Sequence, residues 1–175
     1  MSNEVIKDKE LHKWLIGELR KISNAIVRDI MDLNEKKIQK VVYDSYSPSV
    51  YDRSHEFLNA WSKDKAKQNS PNSVQCTMYY DGDKMSVGWP STDPELPEYG
   101  KHASAIDNFD AREYLADIIY QGLAGPAFGV GPSHSGEWAE KRDAWKALED
   151  ALDDGQFDKI VQRHLRKAGF NFKKI

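Results

Sequence analysis

The sequence predicts an α+β fold on three observations: a long run with one apolar helical face near the N-terminus, two short alternating runs around a glycine-containing turn, and amphipathic helical stretches toward the C-terminus. The expected architecture is a long N-terminal helix packed on a small antiparallel sheet, with additional C-terminal helices. The sheet is a hairpin, to which a C-terminal strand could add. The 175 residues suit a single domain with one core.

Residues 8–42 give the clearest periodicity. Leu11, Leu15, Leu19, Ile22, Ile26, Ile30 and Leu33 recur at steps of four and three, with Trp14, Ala25 and Val41 widening or extending the stripe. Lys13, Glu18, Arg20, Lys21, Arg28, Asp32, Glu35 and Lys36 lie opposite and suit a solvated face. Such a helix is about 50 Å long at 1.5 Å per residue, so either Asn34 marks a break or the helix extends beyond the sheet. Ser47-Pro48 ends it, because proline disfavours helical geometry in the preceding residue. A short helix restarting near Ser49 would carry Tyr51, His55, Leu58 and Trp61 inward. The polar stretch Ser62–Ser73 reads as a loop.

Residues 74–89 carry the β signal. Val74–Tyr80 and Lys84–Trp89 flank Asp81-Gly82-Asp83, a connection of hairpin length. Alternation places Val74, Cys76, Met78 and Tyr80 on one face, opposed by Met85, Val87 and Trp89. Pro90, Pro94 and Pro97 stop the strand, and Thr92–Asn108 reads as an irregular excursion. Residues 110–169 form the helical part. Asp110 caps a helix to Gln121, and a glycine- and proline-rich loop spans Ala124–Gly136. A helix over Glu137–Leu152 turns Trp138, Trp145, Leu148 and Leu152 inward. A last helix over Phe157–Ala168 buries Phe157, Ile160, Val161 and Leu165, with Gly169 as its stop. The alternating tail from Phe170 to Ile175 is the strand that could join the hairpin.

Composition narrows the function. The net charge of −3 argues against a dedicated duplex-DNA binder. The single Cys76 excludes an internal disulfide and fits a reducing compartment. The polar start and the lack of a long apolar run point to assembly in the cytoplasm without a membrane. Charge is unevenly spread: Glu137–Asp154 holds seven acids and three bases, whereas Gln156–Ile175 holds six Lys or Arg and one acid, Asp158. These are either solvated faces or opposite patches that pair between neighbouring copies.

No pattern in the sequence assembles a catalytic or metal site, so an enzyme and a cofactor are not expected. His12, His55, His102, His134 and His164 lack a partner at metal-ligand spacing and read as surface or interface residues. Cys76 reads as a small core side chain. Gly125, Gly129 and Gly131 follow a helix and lack the Gly-Lys-Ser/Thr ending of a phosphate loop. The acid pairs Asp81/Asp83 and Asp153/Asp154 fit turns better than a calcium loop. Tyr43, Tyr46, Tyr51, Phe57 and Trp61 interleave with charge as a base-stacking surface would, but packing explains them more simply.

Three stretches taken in order carry a family resemblance. They are Val42–Arg53 (VYDSYSPSVYDR) with Leu58 and Trp61; Ala111–Gly122 (AREYLADIIYQG) with Gly125-Pro126; and Trp138–Trp145, containing Lys141-Arg142-Asp143-Ala144. The layout resembles the neck or tail-completion (head–tail joining) proteins of long-tailed bacteriophages and prophages. The resemblance implies a virion structural protein, assembled in the host cytoplasm, that forms an oligomeric ring with copies of itself and contacts neighbouring head and tail proteins. On that reading the interface residues are Trp89, Leu96, Tyr99, Ile106, Leu123 and Phe128, apolar side chains on the two loops. The competing reading is a nucleic-acid-binding phage accessory protein. Its contacts would be Lys159, Arg163, Arg166 and Lys167, spaced along one face of the last helix and placed to meet phosphates or lie close to DNA.

Overall fold

The computed structural model describes residues 8–45, 55–85, 116, 119, 120 and 141–170. The fold is α+β. Its elements are α1 (Asp8–Ile38), α2 (Glu56–Asn59), β1 (Trp61–Lys63), β2 (Lys67–Ser70), β3 (Ser73–Gln75), β4 (Met78–Tyr80), α3 (Ala144–Ala151) and α4 (Phe157–Lys167). Two compact units contain them. The first comprises Met1–Leu33, Lys63–Tyr79 and Asp150–Ile175, and the second Asn34–Ser62 and Tyr80–Glu149.

Helix α1 runs 31 residues, about 46 Å. It has acids in its first turn and lysines in its last, the polarity that the helix dipole favours. Asn34 does not break it. The helix continues to Ile38 and closes in a wider turn over Gln39–Tyr43, where the Asp44 N–H reaches the Gln39 carbonyl at 2.8 Å. The buried positions differ from the expected stripe at its start. Ile16 and Ile22 are buried, while Leu11 is 46% and Trp14 54% exposed. Leu15, Leu19, Ile26, Ile30 and Leu33 are half-buried.

In the first unit, Asn24 anchors the strand region to α1. Its Oδ1 accepts from Lys63 Nζ at 2.6 Å and from the Ala66 N–H at 3.2 Å, and its Nδ2 donates to the Arg20 carbonyl at 2.8 Å. His12 Nε2 donates to the Pro71 carbonyl at 2.9 Å, tying the β2–β3 turn to the first turns of the helix. These polar contacts are why Ser62–Ser73, expected as a loop, instead contributes β2 and one end of β1.

The hairpin differs from expectation. Residues 74–80 do not form one continuous strand, and of Lys84–Trp89 only Lys84 and Met85 are described. The chain from Ser73 to Tyr80 supplies two short strands, β3 and β4, and the ladder is interrupted between them. β3 pairs antiparallel with β2 in the register Lys67–Gln75 and Gln68–Val74, and β4 pairs with β1. Flanking backbone bonds run from Asp64 N–H to the Thr77 carbonyl and from Asp81 N–H to the Ala60 carbonyl, each 2.9 Å. Gly82–Lys84 is a tight helical turn, with Lys84 Nζ donating to the Trp61 carbonyl at 2.6 Å. The alternation itself is real: Val74, Cys76, Met78 and Tyr80 are half-buried, whereas Gln75, Thr77 and Tyr79 are exposed.

The second unit closes around an aromatic cluster. Phe57 (2% exposed) lies with Trp61, Tyr80 and Tyr120 at ring-centroid distances of 6.5, 5.8 and 6.0 Å. Trp145 stacks on Trp61 at 5.7 Å with 14° between planes, its outer face left 37% exposed. Packing rather than base stacking therefore accounts for Phe57 and Trp61. Asn34, Ile38, Val42, Ala60, Ile119, Ala144 and Leu148 are also buried among the described residues of this unit.

Helix α3 begins at Ala144, later than Glu137, and Arg142 and Asp143 are not helical. The reason is a cap: Asp143 Oδ1 accepts the Lys146 N–H at 2.8 Å, satisfying an otherwise orphaned donor of the first turn. Burial pushes the Asp143 carboxyl up, but the Lys146 N–H and the nearby Lys141 outweigh it and hold it below the usual range. Gly155, at φ 87°, turns the chain from α3 into α4. Gly169, at φ 86°, ends α4 as expected, with its N–H on the Arg166 carbonyl at 3.0 Å. Phe157, expected inside, is 46% exposed, whereas Ile160 is buried.

Of the helix expected to restart near Ser49, only the part from His55 is described: His55 is exposed at φ 57°, the helix occupies Glu56–Asn59, and Trp61 is buried but begins β1. The excursion Thr92–Asn108, the loop Ala124–Gly136, Trp138, and the tail beyond Phe170 lie outside the described residues, as does most of the helix Asp110–Gln121. Of that helix, Ala116, Ile119 and Tyr120 are described and helical.

Candidate functional site

The surface with the most chemistry among the described residues is built on α4. At 3.6 residues per turn, Lys159, Arg163, Arg166 and Lys167 fall within an arc of about 100° on the helix. All four are exposed, and Ile160, at the edge of that arc beside Lys167, is 7% exposed. The sequence placed these cations on one face, and the structure does bring them together.

A three-residue ion cluster holds α4 against α1 within the first unit. Asp29 Oδ2 accepts from both Arg163 and His164 Nε2. The His164 side chain is 13% and that of Asp29 27% exposed, while Arg163 remains 52% exposed. Burial pushes the Asp29 carboxyl up; the hydrogen bonds from His164 and Arg163, with their charges, outweigh it and hold it below the ordinary carboxylate range. A turn beyond the helix end, Phe170 meets Trp14 with ring centroids 6.4 Å apart. His164 is therefore a structural contact rather than a bare surface residue. Its partner lies 135 positions away, and no spacing rule links residues so far apart in sequence.

Arg163 is partly neutralised by Asp29, and Arg166 also makes a contact. Lys159 and Lys167 meet no counter-charge among the described residues. The same is true of the exposed Asp153 and Asp154, which precede α4. Exposed acids thus precede α4, and exposed bases lie along it.

Trp89, Leu96, Tyr99, Ile106, Leu123 and Phe128 lie outside the described residues. Cys76 is half-buried, its thiol donating to the Asp64 carbonyl at 3.2 Å, as a core-edge side chain does. Among the described residues no group of three His, Cys, Asp or Glu side chains is placed to hold a metal ion, and no helix is long and apolar enough to cross a membrane. In the second unit, Tyr120 has its phenol pushed up by burial and by the nearby Asp143, and its hydroxyl and the Trp61 Nε1 are buried without hydrogen-bond partners. Both atoms sit in the packed aromatic cluster.

No curated protein and no solved structure matches the chain. One family profile does, that of YomN, across residues 9–167. This span runs from the first turn of α1 to the last residue of α4, so it takes in every element described above. The chain belongs to the YomN family, a family of phage and prophage proteins of Bacillus.

Proposed function

We propose that this chain is a structural virion protein that completes the head–tail junction of a phage, acting as a ring of like copies between capsid portal and tail tube. The family match supports a phage or prophage protein, and the head–tail reading is carried by the order of three sequence stretches. Residues 9–167 include all three stretches whose order resembles neck and tail-completion proteins. The reading makes the protein non-enzymatic, with its partners being other copies and the neighbouring head and tail proteins. Exposed apolar side chains support it. Leu11 and Trp14 lie one turn apart on α1 and form a joint surface at its start, and exposed apolar clusters commonly mark protein contacts.

The second reading is a nucleic-acid-binding accessory protein. The exposed bases of α4 favour it, and the chain's net charge of −3 opposes it.

The test is a phage or prophage whose copy of this gene lacks codons 92–104, which encode the Pro-rich excursion. Circular dichroism of the purified variant first establishes that the remainder folds. The expected outcome is that capsids and tails accumulate unjoined while both are made in normal amounts. Joined, infectious particles at normal yield would refute the excursion as an interface. Absence of the intact protein from purified particles would refute the virion role itself.

A further inference from the structure

We propose that residues 171–175 form a strap that closes over the exposed Leu11–Trp14 surface of their own chain and is displaced when a partner takes that surface. The proposal goes beyond the virion reading. It concerns one copy by itself and holds or fails independently of heads and tails.

The first argument is direction. Arg163 and His164 meet Asp29, and further along the chain Phe170 meets Trp14. The last helix and the turn after it therefore travel from the middle of α1 toward its start, all within the first unit. The exit is fixed as well as the heading. Gly169, at φ 86°, donates its N–H to the Arg166 carbonyl and Phe170 donates its own to the Leu165 carbonyl, both at 3.0 Å, the paired bonds of a glycine-terminated helix. Five extended residues span at most about 17 Å, whereas Leu11 and Asp8 lie only about 4.5 and 9 Å beyond Trp14 along the helix axis. The surface is within reach.

The second argument is fit. Leu11 and Trp14 leave 46% and 54% of their surface in water, and the apolar residues that follow Phe170 are Phe172 and Ile175. Around the axis of α1, Leu11 lies about 60° from Trp14, Asp8 about 60° beyond Leu11, and Glu10 about 40° to the other side of Trp14. The apolar strip is thus flanked by two acids. Both are exposed and meet no counter-charge among the described residues. Lys173 and Lys174 bring the opposite charge. The cations of α1 itself point elsewhere: Lys9 and Lys13 fall about 140° and 100° from Trp14, and His12 turns to the Pro71 carbonyl.

The third argument is strength. The entropy lost in ordering five residues offsets most of what two apolar side chains gain by burial. The strap is therefore poised rather than locked. Global unfolding barely registers it, and a partner with a larger apolar face displaces it.

The experiment labels the full chain with 5-fluorotryptophan and follows its five tryptophans by fluorine NMR. Trp14, the one tryptophan of the first unit, is assigned with Trp14→Phe, and a soluble gadolinium chelate reports how far each ring meets water. The expected result is that Phe172→Ala, and separately Lys173→Glu with Lys174→Glu, raise the chelate's broadening of the Trp14 line about twofold or more while the other four lines hold. Adding Asp8→Lys and Glu10→Lys to the charge-reversed tail restores the protection. Unchanged accessibility of Trp14 in both tail variants would overturn the strap. Equal changes in all five lines would do the same, because the tail would then be acting on the whole fold. Protection of Trp14 that fades on dilution would seat the tail on another copy and overturn its assignment to its own chain. None of these outcomes bears on the virion role, which the particle assay tests separately.

Discussion

Replacing Asp29 should loosen α4 from α1, and the size of the effect follows from the geometry. The Asp29 carboxylate accepts from His164, whose side chain is 13% exposed, and from Arg163, which is 52% exposed. A hydrogen bond to a charged group contributes roughly 1.5–3 kcal/mol when shielded, and an exposed ion pair only about 0.2–1 kcal/mol. Asp29→Ala removes both and leaves His164 short of a partner, for a loss of about 2–3 kcal/mol. Asp29→Asn keeps an acceptor and should cost about 1–2 kcal/mol. At this chain length, 1 kcal/mol moves the unfolding midpoint by about 2–4 °C, so the alanine variant should melt roughly 4–12 °C lower. The pH dependence has a definite sign. The folded carboxyl is held below its ordinary value of 3.8, so its contribution is present above that value and is lost as pH falls through the lower folded value. Urea unfolding of wild type and Asp29→Asn from pH 7 down to pH 2 measures this directly. The gap between them should hold above about pH 4 and close below it. A gap under about 0.5 kcal/mol at neutral pH, or one that widens on acidification, would refute the account of the cluster.

Two further outcomes test the packing. Ile38→Ala and Leu148→Ala, at 0% and 1% exposure, should each cost about 2–5 kcal/mol in urea unfolding, whereas Leu11→Ala should cost under about 0.5 kcal/mol in the free protein. Equal losses at Leu11 and Ile38 would mean that the start of α1 is buried after all. Asn34 is fully buried on α1 with neither amide atom hydrogen-bonded, a costly arrangement. Asn34→Ala, which removes the amide without adding bulk, should cost less than the about 2–5 kcal/mol expected at Ile38 or Leu148, and an equal or larger loss would show that the amide has a partner.

Local rules read most of the helical content correctly, because a helix announces itself within a few turns. The 3.6-residue period made α1 and α4 legible, and the need for a positive φ made Gly169 legible as a stop. They were weaker at boundaries. Asp143 signals a cap only once the helix is known to start beside it, so α3 was placed too early. The strands were read by alternation, which correctly sorted Val74, Cys76, Met78 and Tyr80 from their neighbours. Alternation says which face a residue takes and nothing about which strand lies alongside. The choice of β1 as the partner of β4, and of β2 for β3, rests on Asn24, Lys63, His12 and Pro71, polar contacts between segments distant in the chain.

The sequence by itself determined the α+β class, the long first helix, the basic face of the last helix and the absence of a recognisable catalytic or metal-ligand motif. Each follows from residue type and short-range spacing, which physical chemistry reads one or two turns at a time. Tertiary structure alone decided that His164 and Arg163 share Asp29, that Trp145 covers Trp61 with its outer face in water, and that Leu11 and Trp14 remain exposed on an otherwise apolar stripe. Those outcomes depend on what else packs against each face. A helix's own period cannot say where its covering partners end, and along α1 the buried positions begin only at Ile16.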